Sequence, residues 1–161
     1  MTVKEYNNAV ELYSDNVFRF ILKNIRDEEK AKDIVQDAFE KMWHKIDEID
    51  VLKSKSYLFT TAYRRMIDII RREKKQGNWD EVSEQSYSHE GNYSDLSEIL
   101  QQALAKLSEI QRSVIMLRDY EGYDYKEISD ITKLSLSQVK VYIFRARKQL
   151  KDYLVSVETV V

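Results

Sequence analysis

The chain has 161 residues, of which 43% are hydrophobic and 34% are charged, and its formal net charge is −2. It contains no cysteine, no proline and three glycines, which excludes disulfides and thiolate metal sites and argues against a β-rich fold, because strands need turn residues. No apolar run approaches the roughly 20 residues of a membrane span, and the N-terminus is too polar for a signal peptide. We therefore expect a soluble, cytoplasmic, helix-rich protein with no direct membrane insertion.

The charge is unevenly distributed along the chain. Residues 51–76 hold 8 Lys/Arg against 2 Asp/Glu, and residues 136–153 hold 5 against 1. Residues 1–50 and 77–109 are acidic. Local basic stretches, rather than a high overall charge, are typical of a protein that binds nucleic acid sequence-specifically.

Two amphipathic helices are predicted in the first 46 residues. The first begins at a capping box of Thr2 and Glu5, and the polar run at 14–16 is a candidate bend. The second begins at Asp27 as its N-cap. Its apolar residues recur with a helical period, which predicts one buried stripe. The stripe consists of Ala31, Ile34, Val35, Ala38, Phe39, Met42, Trp43 and Ile46.

A third helix is predicted after a loop at about 47–55, with Ser56 as its cap. Its first half is aromatic, with Tyr57, Phe59 and Tyr63, and its second half is cationic. The cations are Arg64, Arg65, Arg71, Arg72, Lys74 and Lys75. Aromatic residues most often belong to a core, but beside cations they also suit single-stranded DNA, whose bases stack while its phosphates are neutralised. The residues alone leave both interpretations open.

Residues 76–94 are rich in Ser, Asn, Glu and Gly and have no apolar period, which predicts a flexible acidic linker and a domain boundary. Four short helices are predicted beyond it, and Gly122 suits the end of the second. The last three begin at capping boxes, Ser108 with Gln111, Asp124 with Glu127, and Ser135 with Gln138. The last two helices, joined by a turn at 132–134, are predicted to form a helix-turn-helix.

The last helix divides into two faces. Its buried stripe is predicted to be Val139, Ile143, Ala146, Leu150 and Leu154. The outward residues are Ser137, Gln138, Lys140, Val141, Tyr142, Arg145 and Lys148. Amides and cations of this kind can reach base edges and phosphates. A solvated surface helix has the same composition, but the preceding cap, helix and turn favour a recognition helix, in which Gln138 is a candidate reader of adenine.

One side of the second helix is acidic. It carries Asp33, Gln36, Asp37 and Glu40, which suit either a solvated face or a docking surface for a basic partner helix. We predict no metal site, because the chain has only two histidines and one lies in the acidic linker. We also predict no catalytic residue, no cofactor and no small-molecule substrate, because the sequence has no phosphate-binding glycine loop and no nucleophile motif.

Three segments together resemble the extracytoplasmic-function (ECF) sigma factors. DEEKAKDIVQDAFEKMW (Asp27–Trp43) resembles the family's polymerase-docking segment, and YLFTTAYRRMIDIIRREKK (Tyr57–Lys75) resembles its melting and minus-ten-reading helix. KLSEIQRSVIMLRDYEGYDYKEISDIT and VKVYIFRARKQL, within Ala103–Leu154, resemble its minus-thirty-five-reading domain. The segments occur in family order and cover nearly the whole chain.

The resemblance implies an all-α protein of two small helical domains. Residues 1–75 would be a sigma region 2 bundle of three or four helices, 76–94 the linker, and 95–161 a four-helix region 4 domain with the helix-turn-helix. The implied partners are core RNA polymerase, promoter DNA and an anti-sigma factor.

The resemblance also assigns residues to each contact. The acidic side of the second helix would bind the polymerase. The minus-ten contacts would be Ser56, Tyr57, Arg64, Arg65, Arg71 and Arg72, and the minus-thirty-five contacts would be the outward residues of the last helix. In that helix the family often has Thr-Val-Lys-Ser-Arg where this chain reads Gln-Val-Lys-Val-Tyr at 138–142, so its promoter sequence is open.

The rival interpretations are a free-standing helix-turn-helix regulator and an all-α enzyme. A regulator would bind duplex DNA without polymerase, whereas co-elution with core polymerase would support a sigma factor. The sequence offers no residues for the enzyme.

Overall fold

The computed structural model describes the backbone of residues 1–76 and 95–160, and the side chains of 1–76 and 98–156. These residues form two compact units, one before and one after 77–94. Apart from Gln76, which ends a helix, the predicted linker lies outside the described residues. Among the described residues, no helix is both long and apolar enough to cross a membrane.

The first unit packs three α-helices pairwise around one core. They are α1 (Val3–Ile25), α2 (Glu28–His44) and α3 (Ser54–Gln76). The Thr2–Glu5 capping box is confirmed, and α1 runs through residues 14–16 without a break. Asp27 caps α2 as predicted, and its side chain accepts a hydrogen bond from the Lys30 backbone N–H. The largest fully buried side chains of this unit are Phe20, Ile21, Ile34, Met42, Leu58, Phe59 and Met66.

The predicted start of α3 is wrong by two residues. A 3-10 turn at Val51–Lys53 precedes the helix, and Asp50 caps that turn by accepting from the Leu52 N–H. The buried Ser54 begins α3 and donates its hydroxyl to the Val51 carbonyl. Ser56 therefore lies inside the helix and does not cap it, because the 3-10 turn leads into α3 one half-turn earlier.

The aromatic residues also differ in part from their predicted positions. Phe59 and Tyr63 are buried against Phe20, with ring centroids 5.5 and 6.4 Å from it, so the core interpretation holds for both, and Tyr57 is half-buried. Trp43, predicted in the buried stripe of α2, is 44% exposed. It lies near the end of α2, where the Tyr6 ring meets it edge-on with ring centroids 5.0 Å apart.

The second unit consists of short helices packed on one long one. Its elements are α4 (Asp95–Lys106), α5 (Glu109–Ile115) with a following π-turn (Met116–Tyr120), α6 (Tyr125–Thr132) and α7 (Leu136–Val160). The predicted capping boxes at Ser108 and Asp124 are confirmed. The third forms as well, because Gln138 accepts from the Ser135 N–H and Ser135 accepts from the Gln138 N–H.

Two residues with positive φ set the turns around the helix-turn-helix. Gly122 has a φ of 75° after the π-turn, where a side chain would be strained. Lys133 has a φ of 63° and caps the end of α6. Ser129 then donates its hydroxyl to the Leu134 carbonyl, so the turn between α6 and α7 is closed by a side chain from α6. Val139, Ile143 and Ala146 of α7 are buried as predicted, whereas Leu150 and Leu154 are half-buried.

Arg112 joins α5 to the end of α4. The residue is 9% exposed, and its guanidinium donates to the carbonyls of Leu104, Ala105 and Leu107 at 3.0, 3.4 and 3.0 Å. The last carbonyls of a helix have no partner within it. One charged side chain therefore binds two of the last carbonyls of α4, those of Leu104 and Ala105, and the Leu107 carbonyl just beyond the helix.

We expect Arg112→Met to lower the free energy of unfolding of the second unit by about 2–3 kcal/mol, because it leaves buried carbonyls without their charged donor. Chemical denaturation followed by circular dichroism measures the loss. Lys126→Met, at an exposed position, is the control and should stay within about 0.5 kcal/mol. Equal effects of the two substitutions would contradict the assignment.

Candidate polymerase and nucleic-acid interfaces

The acidic side of α2 is accessible. Asp33, Gln36 and Glu40 are exposed and Asp37 is half-buried, while Ile34 on the opposite side is fully buried. We call Asp33, Gln36, Asp37 and Glu40 the acidic face. Burial of the apolar side of α2 leaves this face accessible to solvent, and its role as a docking surface stays a prediction.

Trp43 extends the acidic face by one turn and was missed as a surface residue. It lies three residues after Glu40, which places both on one side of the helix. The Tyr6 ring meets it edge-on, and the Tyr6 hydroxyl donates to the Phe39 carbonyl at 3.0 Å. Burial raises the pKa of the Tyr6 phenol, so this hydroxyl stays protonated and able to donate. A half-exposed indole held in this way suits an aromatic anchor in a protein interface.

Arg65 differs from the other predicted DNA-binding arginines. Its guanidinium lies 3.3 Å from the Asp37 carboxylate, and the two side chains are 34% and 42% exposed. Arg64, Arg71 and Arg72 are exposed. The structure thus joins a residue predicted to bind polymerase to one predicted to bind DNA, an ion pair between α2 and α3 that sequence spacing does not reveal.

Leu52 is the most exposed large hydrophobic side chain in the described part of the chain. It is 88% exposed on the 3-10 turn before α3. Asp50 caps this turn and Ser54 closes it, so an apolar side chain is held in water just ahead of a basic helix. The sequence signal was an apolar pair inside an otherwise polar loop.

The C-terminal end of α3 carries four exposed cations, Arg71, Arg72, Lys74 and Lys75. We call these four residues the basic end. Glu73 between them is half-buried and forms an ion pair with Lys30 of α2. Within 71–75 the exposed residues are therefore all cationic, although the run contains an acid.

The outward residues of α7 are accessible at its N-terminal half. Tyr142 is half-buried, and the other six predicted contacts are exposed. Phe144, which sequence reasoning did not select, is 69% exposed, and Val141 is 43% exposed. These two lie three residues apart and form an apolar strip among the polar contacts. The helix can therefore present both hydrogen-bonding and apolar groups to a DNA groove.

The Gln138 amide is already oriented in the free protein. Its oxygen accepts from the Ser135 N–H at 2.9 Å. A bidentate contact with adenine uses that oxygen as an acceptor and the amide nitrogen as a donor. The oxygen would have to serve the cap and the base together, or leave the cap on binding.

A second group of cations surrounds Tyr125 at the start of α6. Arg118 lies 4.9 Å and Lys140 6.0 Å from the centre of its ring. Arg147 is held at 2.6 Å by Asp119, and this hydrogen bond raises the pKa of Arg147. Only Lys140 of this group could be predicted from the sequence, because the group is brought together by packing of α6 against α7 and by the Arg147–Asp119 ion pair.

Comparison with known proteins agrees with both units. Residues 9–76 match the model of Sigma-70 region 2, and residues 97–150 match that of Sigma-70, region 4. The chain is 30% identical over 159 residues to the ECF RNA polymerase sigma factor SigM of Bacillus subtilis, with 94% of each chain covered. It is 26% identical over 165 residues to SigW of the same organism, covering 92% of this chain and 88% of SigW.

A solved structure is also similar. The sigma factor RpoE of Bartonella quintana, in complex with the anti-sigma factor NepR, superposes with a TM-score of 0.79 and 28% sequence identity, covering 94% of this chain and 98% of that one. Matches to both regions, together with a relative of the same length, confirm the resemblance drawn from the motifs. This chain belongs to the ECF family of RNA polymerase sigma factors, non-enzymatic proteins that direct RNA polymerase to promoters.

Proposed function

We propose that residues 1–75 bind core RNA polymerase and open the minus-ten element, and that residues 95–161 read the minus-thirty-five element. The observation that carries this proposal is that α2 and α3 share one core while the acidic face and the basic end stay accessible. A negative surface suits a basic polymerase helix, and a positive one suits DNA. Since core polymerase is cytoplasmic, we place the protein in that compartment.

For docking, the proposal adds Trp43 to the acidic face. Aromatic residues at the centre of an interface often contribute most of its binding free energy, whereas exposed charges mainly steer association. The acidic residues would guide a basic partner helix, and Trp43 would lie beneath it.

For strand opening, we propose that the turn at Val51–Lys53 and the start of α3 hold an unstacked base. The exposed Leu52 offers an apolar surface to that base, with Ser56 and Tyr57 one turn behind it. Arg64, Arg71 and Arg72 would neutralise phosphates, while Arg65 remains in its ion pair with Asp37. Stacking together with cationic neutralisation is how proteins hold single strands.

For the minus-thirty-five element, α7 would enter the major groove with its N-terminal half. Gln138 would contact a base edge, and Val141 and Phe144 would contact apolar groups such as thymine methyls. Arg145 and Lys148 lie further along the helix and would bind phosphates.

We also propose an anti-sigma factor as a partner. Support comes from the similar RpoE of Bartonella quintana, whose structure was solved with the anti-sigma factor NepR. Exposed apolar residues in both units, such as Trp43 and Phe144, are the kind of surface that such a partner would cover in place of polymerase or DNA.

The docking proposal predicts that Asp33→Lys and Glu40→Lys each weaken binding to core polymerase, because each brings a cation to a basic partner. Fluorescence-detected titration of the labelled protein with core polymerase measures the affinity. Stability should change by no more than about 0.5 kcal/mol, as at other surface positions. Glu11→Lys, at an exposed position on α1, is the charge-matched control. Unchanged affinity in the first two variants would refute the docking face.

The strand-opening proposal predicts that replacing Arg71 and Arg72 with Ala reduces open-complex formation. The salt dependence of binding to the minus-ten single strand should also flatten, by about 0.7 in log–log slope for each phosphate that is no longer neutralised. Permanganate reactivity of unpaired thymines and a salt titration measure the two effects. Arg19→Ala, on α1 and exposed, is the control, and wild-type behaviour of the double variant would place its arginines elsewhere.

The recognition-helix proposal predicts two kinds of loss. Gln138→Ala should cost about 1–3 kcal/mol at one base pair and relax the preference there, because it removes a base contact. Arg145→Ala should weaken binding to all sequences about equally and reduce the salt slope by about one, because it removes a phosphate contact. Binding of both variants, as holoenzyme, to a panel of promoter variants measures the difference. A uniform loss for Gln138→Ala would mean that the reading face is assigned wrongly.

A further inference from the structure

Glu73 is the only acidic residue in the run Arg71–Lys75. We propose that it is a positioning residue, which holds the last turns of α3 so that the basic end faces DNA. This inference rests on the proposed role of Arg71 and Arg72 in binding phosphates.

The contacts of Glu73 run from the end of α3 to the start of α2. One carboxylate oxygen, Oε1, pairs with the Lys30 ammonium, which also lies 3.9 Å from a carboxylate oxygen of Asp27, the N-cap of α2. The Glu73 side chain is only 16% exposed. Its second oxygen, Oε2, is buried without a hydrogen-bond partner in the described part of the chain. Glu73 is therefore turned inward, away from its cationic neighbours.

Neither stability nor charge gives a sufficient reason for an acid at this position. An ion pair taken out of water gains little net free energy, since desolvation offsets the attraction. A carboxylate within a phosphate-binding run weakens the attraction of that run for DNA. Geometry is the remaining role, and registry is the best-attested use of such pairs.

The fixed geometry matters because helix ends fray. Ile70 is the last buried residue of α3, and the helix continues to Gln76. The ion pair with Lys30 anchors these last six residues to α2. The cations of the basic end are thus ordered before DNA arrives, so that binding does not have to order the backbone beneath them.

Glu73→Gln tests the proposal, because charge and positioning predict opposite outcomes. If only charge mattered, removing an acid would tighten binding of the holoenzyme to a minus-ten single strand and steepen its salt dependence. Positioning instead predicts binding about fivefold weaker, as expected for loss of one coupled ion pair, and a shallower salt slope. Affinity for core polymerase should not change, whereas general damage to the first unit would lower it.

Two further variants support the test. Lys30→Met removes the other partner and should weaken DNA binding to a similar extent, which gives a second measurement should Glu73→Gln fold poorly. The double variant Lys30→Glu with Glu73→Lys restores the ion pair without altering the net charge. It should recover most of the wild-type DNA affinity, whereas either single charge reversal should not.

Tight DNA binding by both Glu73→Gln and Lys30→Met, with an unchanged or steeper salt slope, would overturn the proposal. So would failure of the exchange to restore binding. Replacement of Arg71 and Arg72 with Ala is measured alongside. If that pair also has no effect, the proposed function of the basic end is wrong; if it weakens binding and the Glu73 and Lys30 variants do not, only the positioning role is wrong.

Discussion

The apolar contact between α2 and α3 is the constraint on which the first unit depends. Ile34 and Met42 of α2 and Leu58 and Met66 of α3 are fully buried in the core of that unit. Since one side of each helix is committed to this core, their charged residues must lie outside it. A single packing arrangement therefore fixes where the acidic face and the basic end stand relative to each other, and two ion pairs, Asp37–Arg65 and Lys30–Glu73, connect the helices beside it.

The second unit relies more on local interactions. Three capping boxes begin α5, α6 and α7, and each satisfies backbone donors with side chains three residues apart. Positive φ at Gly122 and Lys133 sets the turns on either side of α6. Such features specify the helix-turn-helix almost residue by residue. Arg112 adds hydrogen bonds to carbonyls at the end of α4, and Arg147 of α7 pairs with Asp119. Val139, Ile143 and Ala146 then bury one face of α7, which leaves the opposite face of its N-terminal half exposed.

Features encoded within a few consecutive residues could be predicted from the sequence, whereas contacts between residues far apart in the chain could not. Capping boxes and the stripes of α2 and α7 are encoded within a few residues, so the predicted helices and the outward residues of α7 correspond to the structure. Ser56 was mistaken for a cap because a 3-10 turn had no separate signal. Trp43 was placed in the core because periodicity cannot show where a neighbouring helix stops covering it. The pair of Lys30 and Glu73 spans 43 residues, and no spacing rule relates them.

The half-exposed Trp43 gives this protein a natural optical reporter. Indole emission shifts to shorter wavelength when water is removed from the ring. The chain's other tryptophan, Trp79, lies outside the described residues, and replacing it with Phe would leave Trp43, near the end of α2, as the single tryptophan. Its spectrum would then distinguish a ligand that covers this helix from one that binds only the second unit, without any attached dye.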